Sequence, residues 1–396
     1  MGSMITLGLG NLEIDWGKNW GFNNHSRLFV PSDVRLIAYH GWDPDTDAHR
    51  VTMKEGYARK LRDMVPRLDM MGITLGAAEE EYERIRQRDP SGPDGRTLSF
   101  EGLKEALTRV DVTDLSPEYQ QDLELGEMFR LELVERLGLT GLDRDAIWAT
   151  QEVVENFGVE FVLRLLALNP RNLDIDVEWR FADVVSGGWA DRKELVAPLS
   201  RDEQVLIVTE GSSDAHILKK ALDLLRPHTR DFFRFIDMAE GYPFSGTGNL
   251  FKFCQGLVKI GVSGRVLVIY DNDTEGRGKF EQTRALKLPT NMHVMSLPDF
   301  PALTVFPTIW PDGLREADIN GRAAAIECYL DLSNGPQTPA QVRWTSFDRA
   351  QGKYQGELVD KELYAKAFLK LRLKQPGYDY AGLEAVLAAI ESELIR

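Results

Sequence analysis

The chain has 396 residues, 43% of them hydrophobic, and no apolar run near the ~18 residues a membrane helix needs, which points to a soluble globular protein of two or three domains with no membrane span. A net charge of −15 argues against a protein that coats nucleic acid non-specifically, because Lys and Arg contacts to phosphate supply most of that affinity, although a local basic groove stays open. The opening MGSMITLGLG lacks the segments of a secretion signal, and the two cysteines, Cys254 and Cys328, have neither zinc nor disulfide spacing, so both are expected as buried thiols in a cytoplasmic protein.

Residues 4–40 alternate in short runs (ITLGLGNLEIDWG, RLFV, VRLIAYH) broken by Gly, Asn and Pro, which predicts a small β module over 1–50. From Lys54 to Asn169 the period turns helical: YARKLRDMVPRLDMM, AEEEYERIRQR, a loop DPSGPDGR, SFEGLKEALTRV with Ser99 as N-cap, LELGEMFRLELVERLGL, and EVVENFGVEFVLRLLAL ending before Pro170. A polar stretch with a short strand or two over 170–203 closes this helical region, taken as 51–200, and leaves 201–396 as the last part. Charge is segregated along the chain: residues 77–136 carry 16 acidic against 8 basic side chains, and 341–374 carry 8 basic against 4 acidic.

After Gln204 strand-length apolar runs alternate with helical segments: QVLIVTEG, SDAHILKKALDLL, FFRFIDMAEG, GTGNLFKFCQGLVKIG, SGRVLVIYDND, EGRGKFEQTRALKL and MHVMSLPDF. This alternation predicts an α/β fold with a parallel, Rossmann-like sheet and crossover helices. Ligands of such sheets sit at the carboxyl ends of the strands, and the acids are there: Glu210 after the first strand, Asp237 after the second, Asp271 and Asp273 after the third. Side chains two apart on an extended segment share a face, so Asp271 and Asp273 can converge on one ion, and a divalent cation with hard oxygen ligands would relieve their repulsion. The bland alternative is a capped turn, since Asp and Asn are common after strands.

The combination of VLIVTEG (Glu210) with VLVIYDND (Asp271, Asp273) resembles the Toprim domain of topoisomerases, bacterial primases and several nucleases, over roughly residues 203–300. The resemblance implies metal or acid–base work for Glu210 and metal binding for the two aspartates. The EGxSD pattern adds Asp214 and is similar to the nuclease branch that includes the OLD family, which also implies a later metal ligand, Glu327 in INGRAAAIECYL. That branch carries a late lysine as well, for which Lys361 is the candidate and Lys353 the alternate. The implied cofactor is Mg²⁺ or Mn²⁺, as two ions.

At the other end, MITLGLGNLEIDWGKN followed by NHSRLF resembles the start of HEPN/Toprim-associated proteins, a bacterial family linked to defence against phage. HEPN ribonucleases use an Arg-x4–6-His motif on a helix. The only fit, Arg35 to His40, alternates like a strand and is read as accidental. Asp15, Trp16, Lys18 and Asn19 make either a site or a packed turn. The glycines of SGTGNLFKF lack the third glycine of a dinucleotide fingerprint. Trp310, Trp344, Tyr354 and Tyr364 stand among basic residues and either stack on bases or fill a core.

Three functions compete. The first is a divalent-metal-dependent nuclease acting on DNA or RNA as the effector of an antiphage system. The second is a haloacid-dehalogenase-type phosphatase, disfavoured because its DxD would follow the first strand. The third is a non-catalytic Toprim-like sensor or scaffold subunit of a defence complex. The nuclease reading takes Glu210 and Lys361 as catalytic residues, with Lys353, Lys366, Lys370 and Lys374 contacting nucleic acid. A homo-oligomer, a partner defence protein and a cytoplasmic location complete the expectations.

Overall fold

Apolar alternation in MITLGL and LEIDWGK builds two antiparallel strands, β1 (Met4–Leu9) and β2 (Leu12–Lys18), turned by Gly10 at φ +59°. The computed structural model describes residues 2–43, 48–88, 98–115, 123–124, 150, 152–236, 246–333 and 339–395. DPSGPDGR, expected as a loop, most of LELGEMFRLELVERLGL and Asp237 lie outside them. The chain divides into two units, Met1–Pro198 and Leu199–Arg396. Among the described residues no helix is long and apolar enough to cross a membrane.

In the first unit β3 (Val34–Asp43), β4 (Ala48–Lys60), β5 (Leu123–Glu124) and β6 (Asp176–Arg180) join the hairpin in one sheet of order β3-β4-β6-β1-β2-β5. β6 follows the helices in sequence yet lies between β4 and β1, so strands and helices share one core. Tyr57 stacks between Phe29 (4.8 Å) and Trp179 (6.0 Å), and the buried Arg67 donates to the carbonyls of Arg27 and Phe29, fixing the NHSRLF segment. The helix expected from YARKLRDMVPRLDMM begins only at Leu61, because Tyr57 to Lys60 pair with β6 and continue β4. Ser99 caps the helix Phe100–Arg109, accepting the Gly102 N–H at 3.1 Å.

The second unit is α/β. β7 (Val205–Val208), β8 (Phe233–Phe235), β9 (Val266–Tyr270) and β11 (Met292–Ser296) form a wholly parallel sheet of order β11-β9-β7-β8. Every residue of VLIV and VLVIY is buried, as expected for strands covered on both faces by the helices Ser212–Leu225, Thr247–Ile260 and Thr274–Arg284. The chain leaves β7 toward β8 on one side and β9 toward β11 on the other. The carboxyl ends of β7 and β9 therefore flank the switch point, where this fold class binds ligands. A two-residue strand after β9, β10 (Asn272–Asp273), pairs with β14 (Ala323–Ala324). A second sheet of β12 (Phe306–Trp310), β13 (Gly313–Ala317), β15 (Val342–Asp348) and β16 (Lys353–Leu358) has the order β13-β12-β15-β16.

Candidate functional site

The acids at the switch point are held by backbone amides and by side chains from neighbouring strand ends and helix starts. Glu210 leaves the end of β7, and its Oε1 accepts the N–H of Asp271 at 2.9 Å while Oε2 accepts the Thr247 hydroxyl at 2.7 Å. Four residues on, in the first turn of the next helix, Asp214 Oδ2 accepts the Gly211 N–H at 2.8 Å. Asp273 caps the helix Thr274–Arg284, taking the Gly276 N–H at 2.7 Å and the Gln355 side-chain amide at 2.6 Å. Glu327 is buried in a short 3-10 helix, Ile326–Tyr329, and accepts the Ser213 hydroxyl at 2.9 Å. The carboxylate of Asp271 accepts no hydrogen bond among the described residues, and only its backbone is engaged.

The electrostatics follow from this crowding. Burial pushes the Glu210 carboxyl up to about 7, with Asp273 and Glu275 adding repulsion against the Thr247 and Asp271 hydrogen bonds. Burial likewise raises Asp214 to about 7, with Glu327 and Glu210 adding to it and the Gly211 amide and Lys361 opposing. Asp271 stands well above its usual range through burial and the charges of Asp214, Glu210, Asp273 and Glu327. Burial also raises Asp273, held back by Gly276, Gln355 and Lys361. Glu210, Asp214, Asp271, Asp273, Glu327 and Lys361 thus share one electrostatic neighbourhood, in which Lys361, the first residue of the helix Lys361–Leu369, supplies positive charge.

Among the described residues no group of three or more His, Cys, Asp or Glu side chains stands ready to hold a metal ion. Glu210, Asp214, Asp273 and Glu327 each accept a hydrogen bond from a protein donor. The donor chemistry fits a hard divalent cation, because the acids offer carboxylate oxygens whose ionised forms are held at a cost, and among the described residues the Asp271 carboxylate has no hydrogen-bond donor.

The remaining expected residues fall elsewhere. Lys353 opens β16 and is exposed, and Lys366 and Lys370 are exposed on the helix Lys361–Leu369 and its C-cap. Lys374 lies over the Tyr380 ring at 5.6 Å and 3.9 Å from Glu384. Arg35 and His40 sit on β3, a strand, and not on the helix a HEPN motif requires. In the first unit Asp15 accepts from Asn23 and bonds the buried His25 ring at 2.7 Å, whereas Trp16 is exposed. Burial pushes the Asp15 carboxyl up, and the His25 and Asn23 bonds outweigh it, leaving the group below its usual value. Sequence reasoning missed Thr247, Ser213 and Gln355, the donors to Glu210, Glu327 and Asp273. A small polar residue opening a helix was the available signal for Thr247; Ser213 and Gln355 had none for the acids they meet.

No curated protein and no solved structure matches the chain. A family model described as HEPN/Toprim N-terminal domain 1 matches residues 1–203, and the chain belongs to that family.

Proposed function

We propose that the protein is a divalent-metal-dependent nuclease that hydrolyses phosphodiester bonds of DNA or RNA, the effector of a bacterial antiphage system. The observation that carries this reading is the gathering of Glu210, Asp214, Asp271 and Asp273 at the switch point of a parallel sheet, where burial and mutual repulsion raise all four. Membership in a HEPN/Toprim family supports a nuclease-related role, and the defence role rests on the same likeness.

Asp271, Asp273, Asp214, Glu327 and Glu210 would hold Mg²⁺ or Mn²⁺, as two ions. When bound, such ions polarise the phosphate and lower the pKa of water. The chain's own groups do the rest. Glu210 Oε2, which accepts the Thr247 hydroxyl at 2.7 Å, would be the oxygen that takes a proton once that hydroxyl releases it. Lys361 offers a cation to charge building on the phosphate, a contribution of several kcal/mol for a well-placed donor. Gly276 lets the start of its helix pack directly on the acidic turn: a Cβ there would meet the Asp271 carbonyl oxygen at 2.3 Å and Glu210 Oε1 at 3.0 Å. A homo-oligomer and a partner defence protein belong to the same reading.

The test is to incubate the purified protein with Mg²⁺, Mn²⁺ or EDTA and a panel of plasmid, linear DNA and total RNA. Cleavage that needs the metal supports the reading. Absence of metal-dependent cleavage across the panel contradicts it.

A further inference from the structure

Asn272 stands between the two aspartates, and on an extended segment its side chain points away from theirs. It is fully buried. Its Oδ1 accepts Arg277 Nε at 2.7 Å and the Gly321 N–H at 2.9 Å. Its Nδ2 has the Asp299 carboxylate at 3.0 Å, the Pro298 carbonyl at 3.3 Å and the Tyr329 hydroxyl at 3.4 Å. The Tyr329 hydroxyl itself donates to the Pro298 carbonyl at 2.6 Å, so toward Asn272 it offers a lone pair. One end of the amide meets donors and the other meets acceptors, which fixes its orientation.

These partners come from separate pieces of the chain. Arg277 lies on the helix that Asp273 caps, and its guanidinium also bonds Asp299 at 2.6 Å. Pro298 and Asp299 follow β11. Gly321, at φ +67°, lies in the turn before β14, the strand that pairs with Asn272 and Asp273. Tyr329 shares its 3-10 helix with Glu327. Glu210 is tied to the same acidic turn by the Asp271 N–H. A buried amide is a costly way to fill space, because each polar atom taken from water needs a partner. Here every one is supplied, and the bonds fasten the turn of Asp271 and Asp273 to the segment that carries Glu327.

We propose that Asn272 is a positioning residue of the acidic site: its amide sets the spacing of Asp271 and Asp273 from Glu327, and so the fit of the cluster to divalent cations. This rests on the nuclease reading and adds to it a residue that touches neither metal nor substrate. The arrangement demands an amide. Aspartate at this position has the same shape but no N–H, and it would set a carboxylate against the Pro298 carbonyl and the Asp299 carboxylate. Its added negative charge, acting alone, would draw a cation more strongly. Lost geometry would weaken the same binding, so the two effects have opposite signs.

The test is calorimetric titration of the full-length, metal-free protein with Mn²⁺, beside thermal melting of each variant. Asn272→Asp should bind Mn²⁺ roughly tenfold or more weakly than wild type. In the exchange Asn272→Asp/Asp299→Asn net charge is restored and residue 299 donates to residue 272, so most of the lost affinity should return. Leu257→Ala opens a cavity in the core of the same sheet, controls for lost stability alone, and should bind Mn²⁺ as wild type does. Equal or tighter binding by folded Asn272→Asp, no recovery in the exchange, or equal weakening in Leu257→Ala would overturn the proposal. If Asn272→Asp does not fold, Tyr329→Phe decides, since it removes one oxygen from the acceptor side of the amide: weaker Mn²⁺ binding supports the positioning role and unchanged binding overturns it. Mn²⁺ binding that Asn272→Asp weakens, with no cleavage of any substrate by wild type, leaves the positioning role standing and sinks the nuclease reading. Metal-dependent cleavage by wild type with unchanged Mn²⁺ binding in Asn272→Asp does the reverse, and a wild type that binds no Mn²⁺ overturns both.

Discussion

Oε1 of Glu210 accepts the backbone N–H of Asp271 at 2.9 Å, tying the ends of two adjacent parallel strands together through a group whose pKa is raised to about 7. In the metal-free chain the same carboxylate therefore fixes geometry and exchanges a proton near neutrality.

Glu210→Gln separates these roles, because the amide oxygen can still accept the Asp271 N–H. The expected outcome is a protein that folds and binds nucleic acid within about twofold of wild type but cleaves on the order of 10²–10⁴-fold more slowly. Single-turnover cleavage and anisotropy, measured side by side, check the split.

Asp271 and Asp273 should differ in stability while agreeing in activity. Asp271→Ala removes a carboxylate with no hydrogen bond of its own among the described residues, so the metal-free protein should be as stable as wild type or more so. Asp273→Ala also deletes a helix cap, worth about 1 kcal/mol, and strands the Gln355 amide. Urea unfolding in EDTA should order the variants with Asp271→Ala the more stable, and both should lack metal-dependent cleavage. Full activity in either would count against its place in the site.

The raised carboxyls set the sign of a pH dependence. Glu210 and Asp214 move from ordinary values of 4.5 and 3.8 to about 7 in the folded chain, so the folded state holds protons that the unfolded state has released. Their stabilisation is complete below about pH 4 and is lost as pH rises through about 7. In EDTA the melting temperature of wild type should fall by a few degrees from pH 5 to pH 8 relative to Glu210→Gln. Mn²⁺ should raise it more at pH 8 than at pH 5, where protons compete for the same oxygens. A wild-type profile parallel to that of the variant would contradict the assignment.

Lys361 and the exposed lysines beyond it should act differently. Lys361→Ala is expected to lower turnover much more than affinity, since its charge lies among the acids. Charge reversal at Lys366 and Lys370 should instead weaken binding and flatten the slope of log K against log salt by about two units if each contacts a phosphate. Lys374, engaged with Tyr380 and near Glu384, should contribute less.

What was legible in the sequence was local. VLIV and VLVIY are strand-length, β-branched and buried, and the helices between them are periodic, so the parallel sheet and the acids at its strand ends could be read directly. YARK was not, because its short run fits either period and only pairing with β6, more than a hundred residues away, makes it a strand. The bonds from Ser213 to Glu327 and from Gln355 to Asp273 span 114 and 82 residues, and no spacing rule encodes such contacts. The sheet holding Trp310, Trp344 and Tyr354 was likewise hidden, since its strands pair across a long insertion and leave the rings partly exposed instead of buried.

Calorimetric titration of the metal-free protein with Mn²⁺ at pH 8, for wild type and Asp271→Asn, tests most directly whether these carboxylates are a metal site. The account predicts saturable binding by wild type with release of protons, and at least tenfold weaker binding by Asp271→Asn. Equal binding by the two proteins, or no binding by wild type, would contradict it.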